Sequence, residues 1–101
     1  MATAYFETIV TITRPDATVE WPGDNLPSHE AYIAWLPEVS GLVSTDNYRT
    51  ETESITTYLF DSEENRQIFK NHPVMQALVT DMAPIMTERG IIKTVVDLTP
   101  S

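Results

Sequence analysis

Apolar and polar residues first alternate in the stretch AYFETIVTITR, residues 4–14, which is rich in β-branched and aromatic side chains. A period of two predicts a β-strand that buries one of its faces. The face predicted to meet the core carries Phe6, Val10 and Ile12. The opposite face is mixed and carries Tyr5, Glu7, Ile9 and Thr11.

The spacing becomes helical in SHEAYIAWLPEVS, residues 28–40, which follows a proline-rich loop. We expect Ser28 to be the N-cap of this helix, because a serine hydroxyl can accept a hydrogen bond from a free amide of the first turn. Pro37 should end or bend the helix because it has no amide to donate. The apolar residues of one helical repeat are Tyr32, Ile33, Trp35 and Leu36.

Three further segments are dense in β-branched and aromatic residues and predict strands over 42–51, 54–60 and 91–98. The first two follow Gly41 and are joined by a tight turn near ETES. In the last strand we expect Ile92, Val96 and Leu98 to meet the helices. The other face of that strand would then carry Ile91, Lys93, Val95 and Asp97.

A second helical region covers residues 61–90, with Asp61 or Ser62 as its N-cap and Gly90 suited to the left-handed residue after its end. Asp61 and Glu64 have the spacing of a capping box. Pro73 disfavours helical geometry at the preceding residue and lacks an amide donor, so a break is predicted near residues 71–73. Asn71 or His72 would then cap the second segment.

The resulting order, β-α-β-β-α-β, predicts a single α+β domain over residues 1–101 with the ferredoxin-like fold. In this fold two helices cover one face of an antiparallel four-stranded sheet. The second face carries alternating apolar and charged side chains. It is too apolar for simple exposure, which predicts a homodimer in which a second copy packs across it.

Net charge and composition limit the classes of partner that the protein could bind. Fifteen acidic against six basic residues give a formal net charge of −9, which would repel nucleic acid and anionic membranes. The chain has no cysteine and no apolar run of membrane-spanning length. We therefore expect a cytoplasmic protein with neither nucleic acid nor membrane as a partner.

His72 is the first candidate for chemistry, because an imidazole is the commonest general base near neutral pH. The alternative is that it only joins two helical segments, with Pro73 in the first turn of the second. His29 is expected to lie exposed in the first turn of the first helix.

Polar residues on the predicted strands form a second candidate group: Tyr5, Glu7, Tyr48, Arg49, Tyr58 and Lys93. Together they could bind a carboxylate or enolate through Arg49 and orient it through phenol hydroxyls. The alternative is a polar dimer interface, since Tyr and Arg are enriched in interfaces.

A third group could wall an apolar ligand pocket, or could simply be core packing. Its residues are Tyr32, Trp35, Phe69, Met75, Met82 and Met86. We predict no metal site, because the two histidines are far apart in sequence and stand in no ligand spacing. We predict no cofactor, because the three glycines form no phosphate-binding loop.

The segment TTYLFDSEENRQIFKNHPVMQAL resembles the third strand, acidic helix start and "F…HP" helix break of the dimeric α+β barrel superfamily, which includes antibiotic-biosynthesis monooxygenase-like proteins. The resemblance implies two subunits packed sheet against sheet, with ligands between sheet and helices. Activities in the superfamily include cofactor-independent oxygenation, isomerisation and haem degradation. The last is disfavoured, because Ile68 and Leu78 stand near the places of the aromatic and histidine residues that haem degradation uses.

Two hypotheses about function follow. In the first, the protein binds an apolar organic molecule with a polar head, or is a cofactor-independent oxygenase or isomerase acting on one. His72 would be the base, and Tyr58 or Arg49 would stabilise a developing oxyanion. In the second, it is a non-catalytic dimeric binding or interaction protein.

Overall fold

The computed structural model describes residues 5–100, and the predicted β-α-β-β-α-β order is confirmed. The elements are β1 (Phe6–Thr13), α1 (Pro27–Trp35), a short 3-10 turn (Leu36–Glu38), β2 (Leu42–Arg49), β3 (Glu53–Phe60), α2 (Glu63–Asn71), α3 (Pro73–Arg89) and β4 (Ile92–Leu98). The second helical region is thus two helices. As predicted, the first helix ends before Pro37 and Gly90 is left-handed, with φ of 69°.

The four strands form one antiparallel sheet in the order β2-β3-β1-β4. The core lies between one face of this sheet and the helices, as the ferredoxin-like fold requires. Phe60 is fully buried at its centre. Around it lie Tyr32, Tyr58, Phe69, Leu78 and Met82, and the predicted strand residues Phe6, Val10 and Ile12 pack against this cluster.

The predicted break in the second helical region is confirmed at His72, whose φ of −65° and ψ of 140° are extended rather than helical. Its Nδ1 atom accepts a hydrogen bond from the Val74 amide at 3.2 Å and so caps α3. Pro73 occupies the first position of that helix, where its missing amide removes no internal hydrogen bond.

The predicted cap of α1 is wrong, whereas at α2 one of the two predicted caps, Ser62, is confirmed. Helix α1 starts at Pro27, two residues earlier than predicted, so Ser28 lies inside its first turn and Leu26 is the cap position. A proline is well tolerated at the first helical position, which moves the start upstream. At α2, Ser62 is the N-cap and accepts a hydrogen bond from the Asn65 amide at 3.1 Å, so the Asp61 capping box does not form.

The predicted facing of β4 is also wrong. Val10 and Ile12 face the helices, and their antiparallel partners Val95 and Lys93 share that face. Ile92, Val96 and Leu98 therefore lie on the outer face, with 44–66% of each exposed. Apolar residues occur on both faces of this strand, so alternation alone could not decide between them.

Candidate functional site

A cavity of about 450 Å³ lies between the sheet and the helices. Its roof is mainly apolar and comes from α1, the 3-10 turn and α3. These residues are Tyr32, Ile33, Leu36, Met75, Leu78, Val79 and Met82. Its floor is the helix-facing surface of the sheet, which is more polar. A flat apolar molecule between these layers would have its polar substituents directed at the sheet.

The floor is ordered in rows, because directly paired residues of neighbouring strands share a face. One row runs across all four strands as Arg49, Ser54, Ile12 and Lys93. The next row is Asn47, Thr56, Val10 and Val95. Each row is polar on β2 and β3 and apolar on β1, and the first row is cationic at both ends.

Asn47 connects the polar half of the floor. Its amide nitrogen donates hydrogen bonds to Thr56 Oγ1 at 2.9 Å and to Ser54 Oγ at 3.1 Å. Ser54 is buried, whereas Asn47 is exposed on the edge strand. The arrangement fixes the amide orientation and leaves its carbonyl oxygen available to a ligand donor.

Two tyrosines line the cavity and meet hydroxyl to hydroxyl, Tyr32 from α1 and Tyr58 from β3. Both rings are buried. Burial raises the pKa of both phenols above the usual value, so both hydroxyls stay protonated over the neutral range. One of the two hydrogens is used in the bond between them, and the other can be donated to a ligand oxygen.

The cavity end near β2 is closed by Trp21, which is 9% exposed although it lies in a loop. Its ring is flanked by two guanidinium groups, with Arg14 Cζ 4.2 Å and Arg49 Cζ 5.0 Å from the ring centre. Arg14 also donates to the backbone oxygens of Glu51 and Val19 at 2.7 Å. The stack therefore attaches the loop to the sheet beside the cavity.

The opposite end continues into a second cavity of about 220 Å³. The two cavities share five lining residues: Val10, Tyr58, Met75, Val79 and Lys93. At the far side, Asp97 accepts a hydrogen bond from Thr8 at 2.8 Å and pairs with Lys70. Burial raises the pKa of the Asp97 carboxyl, but these bonds outweigh it and hold that pKa below its usual value.

The site residues predicted from the sequence do not all line the same cavity. Tyr58, Arg49, Met75 and Met82 line the larger cavity. Phe69 lines only the smaller one. Trp35, His72 and Met86 line neither cavity. The rings of Trp35 and His72 stack on each other with centres 4.3 Å apart, and Met86 packs against the core.

The predicted polar strand cluster is not one group. Tyr58, Arg49 and Lys93 face the cavity. Tyr48 and Glu7 lie on the opposite side of the sheet, since their partners Ile55 and Leu59 alternate with the helix-facing residues of β3. The prediction that Lys93 shares a face with Glu7 is therefore wrong, for the reason given above for β4.

Sequence reasoning missed several cavity residues, among them Trp21, His29 and Asn47. His29 was expected to be exposed, but it is partly buried and its ring centre lies 5.8 Å from that of Tyr32. Trp21 offered one signal, a large aromatic residue in a polar loop. Asn47 offered none, because its role depends on the register of β2 against β3.

No group of three or more His, Asp or Glu side chains within residues 5–100 is arranged to hold a metal ion. Among the helices of this same range, none is long and apolar enough to cross a membrane.

Several solved structures share the fold. SnoaB, a cofactor-independent oxygenase from Streptomyces nogalater, is 11% identical, with a TM-score of 0.66 over 96% of this chain and 93% of that one. A monooxygenase from Streptomyces coelicolor, solved with the ligand nanaomycin D, is 17% identical, with a TM-score of 0.69 over 97% and 88%. A dimeric ferredoxin-like protein of unknown function from Bacteroides fragilis is 13% identical, with a TM-score of 0.62 over 98% and 99%.

These similarities confirm the predicted ferredoxin-like fold. No protein-family model matches the sequence, and no curated protein sequence does. At identities of 11–17% the likeness concerns the fold, so the chemistry must be argued from the cavity.

Proposed function

We propose that this protein binds a flat, mainly apolar organic molecule with oxygen substituents in the cavity between sheet and helices, and oxidises it with molecular oxygen without a bound cofactor. The observation that carries the proposal is the cavity itself, with an apolar roof above a floor of hydroxyl, amide and cationic groups. Its volume of about 450 Å³ falls within the range of small-molecule sites.

The roof suits a ring system. Met75 and Met82 come from the same helix, and methionine adapts its shape to varied apolar surfaces and contacts aromatic rings favourably. Leu78 lies between them in sequence and is buried. A planar ligand beneath α3 would therefore be held mainly by apolar contact, while the floor fixes its orientation.

The floor suits a developing negative charge. Arg49 and the Tyr32–Tyr58 pair present donors toward the cavity. Donors that are already in place stabilise an enolate or phenolate as it forms. Such an electron-rich ring reduces oxygen: a ring CH₂ group becomes C=O, one oxygen atom enters the product and the other leaves as water. The oxygenase among the similar folds supports this class of reaction for the cavity.

The experiment is oxygen uptake with 1,8-dihydroxyanthrone, corrected for its spontaneous oxidation. The matched control is Val79→Trp, which places a bulky indole ring at a position of α3 that lines both cavities. Uptake by the wild type that is at least about tenfold above that of the variant supports the proposal. Tight binding of the anthrone with no protein-dependent uptake would instead support the non-catalytic binding protein.

We also propose that the protein works as a homodimer formed through the outer face of the sheet. Ile92, Val96 and Leu98 are exposed there on β4, and Tyr48 is 65% exposed on β2. A second sheet across this face would remove their apolar surface from water. The dimeric ferredoxin-like protein of B. fragilis supports the same arrangement.

A further inference from the structure

Four of the six Lys and Arg side chains of this acidic protein have an ion-pair or hydrogen-bond partner among the described residues. Within residues 5–100, which contain all six Lys and Arg residues, three form ion pairs: Arg66 with Glu63, Lys70 with Asp97, and Arg89 with Glu20. Arg14 donates to two backbone oxygens. Only Arg49 and Lys93 have neither an ion pair nor a hydrogen bond to these described residues, and both line the larger cavity.

The two unpaired cations mark the ends of one row. Arg49 is paired with Ser54, Ser54 with Ile12, and Ile12 with Lys93. Three strand spacings separate their backbones, or about 14 Å, and both side chains extend into the space above. A ligand that lies along this row would meet a cation at each end and apolar surface at Ile12.

Lys93 is the more secluded of the two. It lines both cavities, and burial alone lowers the pKa of its ammonium group. Arg49, by contrast, is exposed at the mouth beside Trp21. A half-buried amine without an acceptor is costly unless a ligand supplies one.

We propose that Lys93 recognises an ionisable ring hydroxyl, so that the substrate class of this cavity is a flat hydroxyarene that binds as its oxyanion. This inference rests on the proposed function and names its ligand class. In the bound complex the ligand O–H bond breaks, an N–H bond forms on the amine, and the product is an ammonium–oxyanion pair. When the Lys93 amine is already protonated, its ammonium group pairs directly with the ligand anion.

Other titratable or charged groups also face this space. Asp46 and Arg49 come from β2, Tyr58 from β3 and Tyr32 from α1, while Asp24 and His29 lie at the loop and the start of α1. Lys70 of α2 faces the smaller cavity and is paired with Asp97. None of these groups forms an ion pair with Lys93, so a ligand oxyanion has no competitor for its ammonium among the described residues.

The probe is 1,2-dihydroxyanthraquinone, whose absorption moves to longer wavelength when a hydroxyl ionises. A pH titration with saturating protein gives the pKa of the bound hydroxyl. We expect it to lie about one unit or more below that of the free dye, a tenfold preference for the anion. In Lys93→Met this lowering should be lost, with Lys93→Gln as a second neutral variant in case the first does not fold.

The matched control is Arg89→Met, which removes the same charge from a surface pair outside the cavity and should leave the lowered pKa unchanged. Unsubstituted anthraquinone should bind the wild type and Lys93→Met equally. If anthraquinone binds but the wild type does not lower the hydroxyl pKa, or if the neutral variants lower it as much as the wild type, the Lys93 proposal is overturned. If neither molecule binds, the proposed function itself fails.

Discussion

The hydroxyl of Tyr32 on α1 is hydrogen-bonded to the hydroxyl of Tyr58 on β3, which joins helix and sheet at the wall of the larger cavity. Both side chains are buried, with 6% and 4% of each residue exposed. The bond therefore has a role in stability and also holds a hydrogen-bond donor at the cavity surface.

We predict that Tyr58→Phe lowers the free energy of unfolding by about 1–2 kcal/mol, because it leaves the Tyr32 hydroxyl buried without this partner. Tyr32→Phe should have a similar effect. The double variant should lose less than the sum of the two, since neither hydroxyl is then left unpaired. Urea unfolding of the four proteins measures this, and strictly additive losses would show that the two hydroxyls are not coupled.

The same pair makes stability depend on alkaline pH. Tyrosine ionises near pH 10 in unfolded chains, whereas burial raises the pKa of Tyr32 and Tyr58 in the folded protein. Below pH 10 both phenols are protonated in the folded and in the unfolded protein, so the contribution of the pair to the free energy of unfolding is unchanged. Above it the unfolded state binds fewer protons, so stability falls by up to about 1.4 kcal/mol per pH unit for each tyrosine.

Urea unfolding between pH 9 and pH 11 should show this fall, and the double Phe variant should show a shallower one. Equal slopes in the two proteins would mean that the tyrosines ionise alike in folded and unfolded states.

Substitutions of His72 can distinguish its role as the N-cap of α3 from a role as a catalytic base. His72→Ala should lower stability by about 1 kcal/mol, because the Val74 amide loses its acceptor and Trp35 loses its stacked ring. His72→Asn keeps an acceptor at the cap and should recover part of this loss. Since the imidazole lines neither cavity, oxygen uptake should be unchanged in both variants. Loss of uptake in His72→Asn at unchanged stability would instead make His72 a catalytic base.

If the dimer forms through the outer face of the sheet, substitutions of two exposed isoleucines should affect dimerisation very differently. Ile92 lies on the outer face of β4 and Ile68 on α2, with 66% and 55% of each exposed. Ile92→Glu should raise the dimer dissociation constant by about a hundredfold or more, because each subunit would bury an unpaired carboxylate in the interface. Ile68→Glu should leave it unchanged. Light scattering measures both, and a monomeric mass for the wild type at micromolar concentration would contradict the arrangement.

Much of the fold could be predicted because its signals are local. The alternation at Phe6, Val10 and Ile12 indicates one buried face, and Pro73 breaks the helix through its own covalent structure. The facing of β4 could not be predicted, since both of its faces carry β-branched residues. Only pairing with β1, which is distant in sequence, places Lys93 toward the helices.

The candidate site was less predictable than the fold for the same reason. Tyr58, Arg49 and Met82 could be named as residue types suited to a ligand, but the row from Arg49 to Lys93 exists only through the register of three strand pairs. Asn47 became part of the floor through its bonds to Ser54 and Thr56. Contacts between residues that are distant in sequence cannot be predicted from the local pattern of apolar and polar residues.

The most direct test of a ligand site between sheet and helices is NMR of the methionine methyl groups during titration with 1,2-dihydroxyanthraquinone. Met75 and Met82 line the larger cavity, whereas Met86 packs against the core from the same helix and lines neither cavity. Aromatic ring effects act only at short range, so the Met75 and Met82 signals should shift and saturate while that of Met86 stays in place. A Met86 shift as large as theirs, or no saturable shift at Met75 and Met82, would contradict the site.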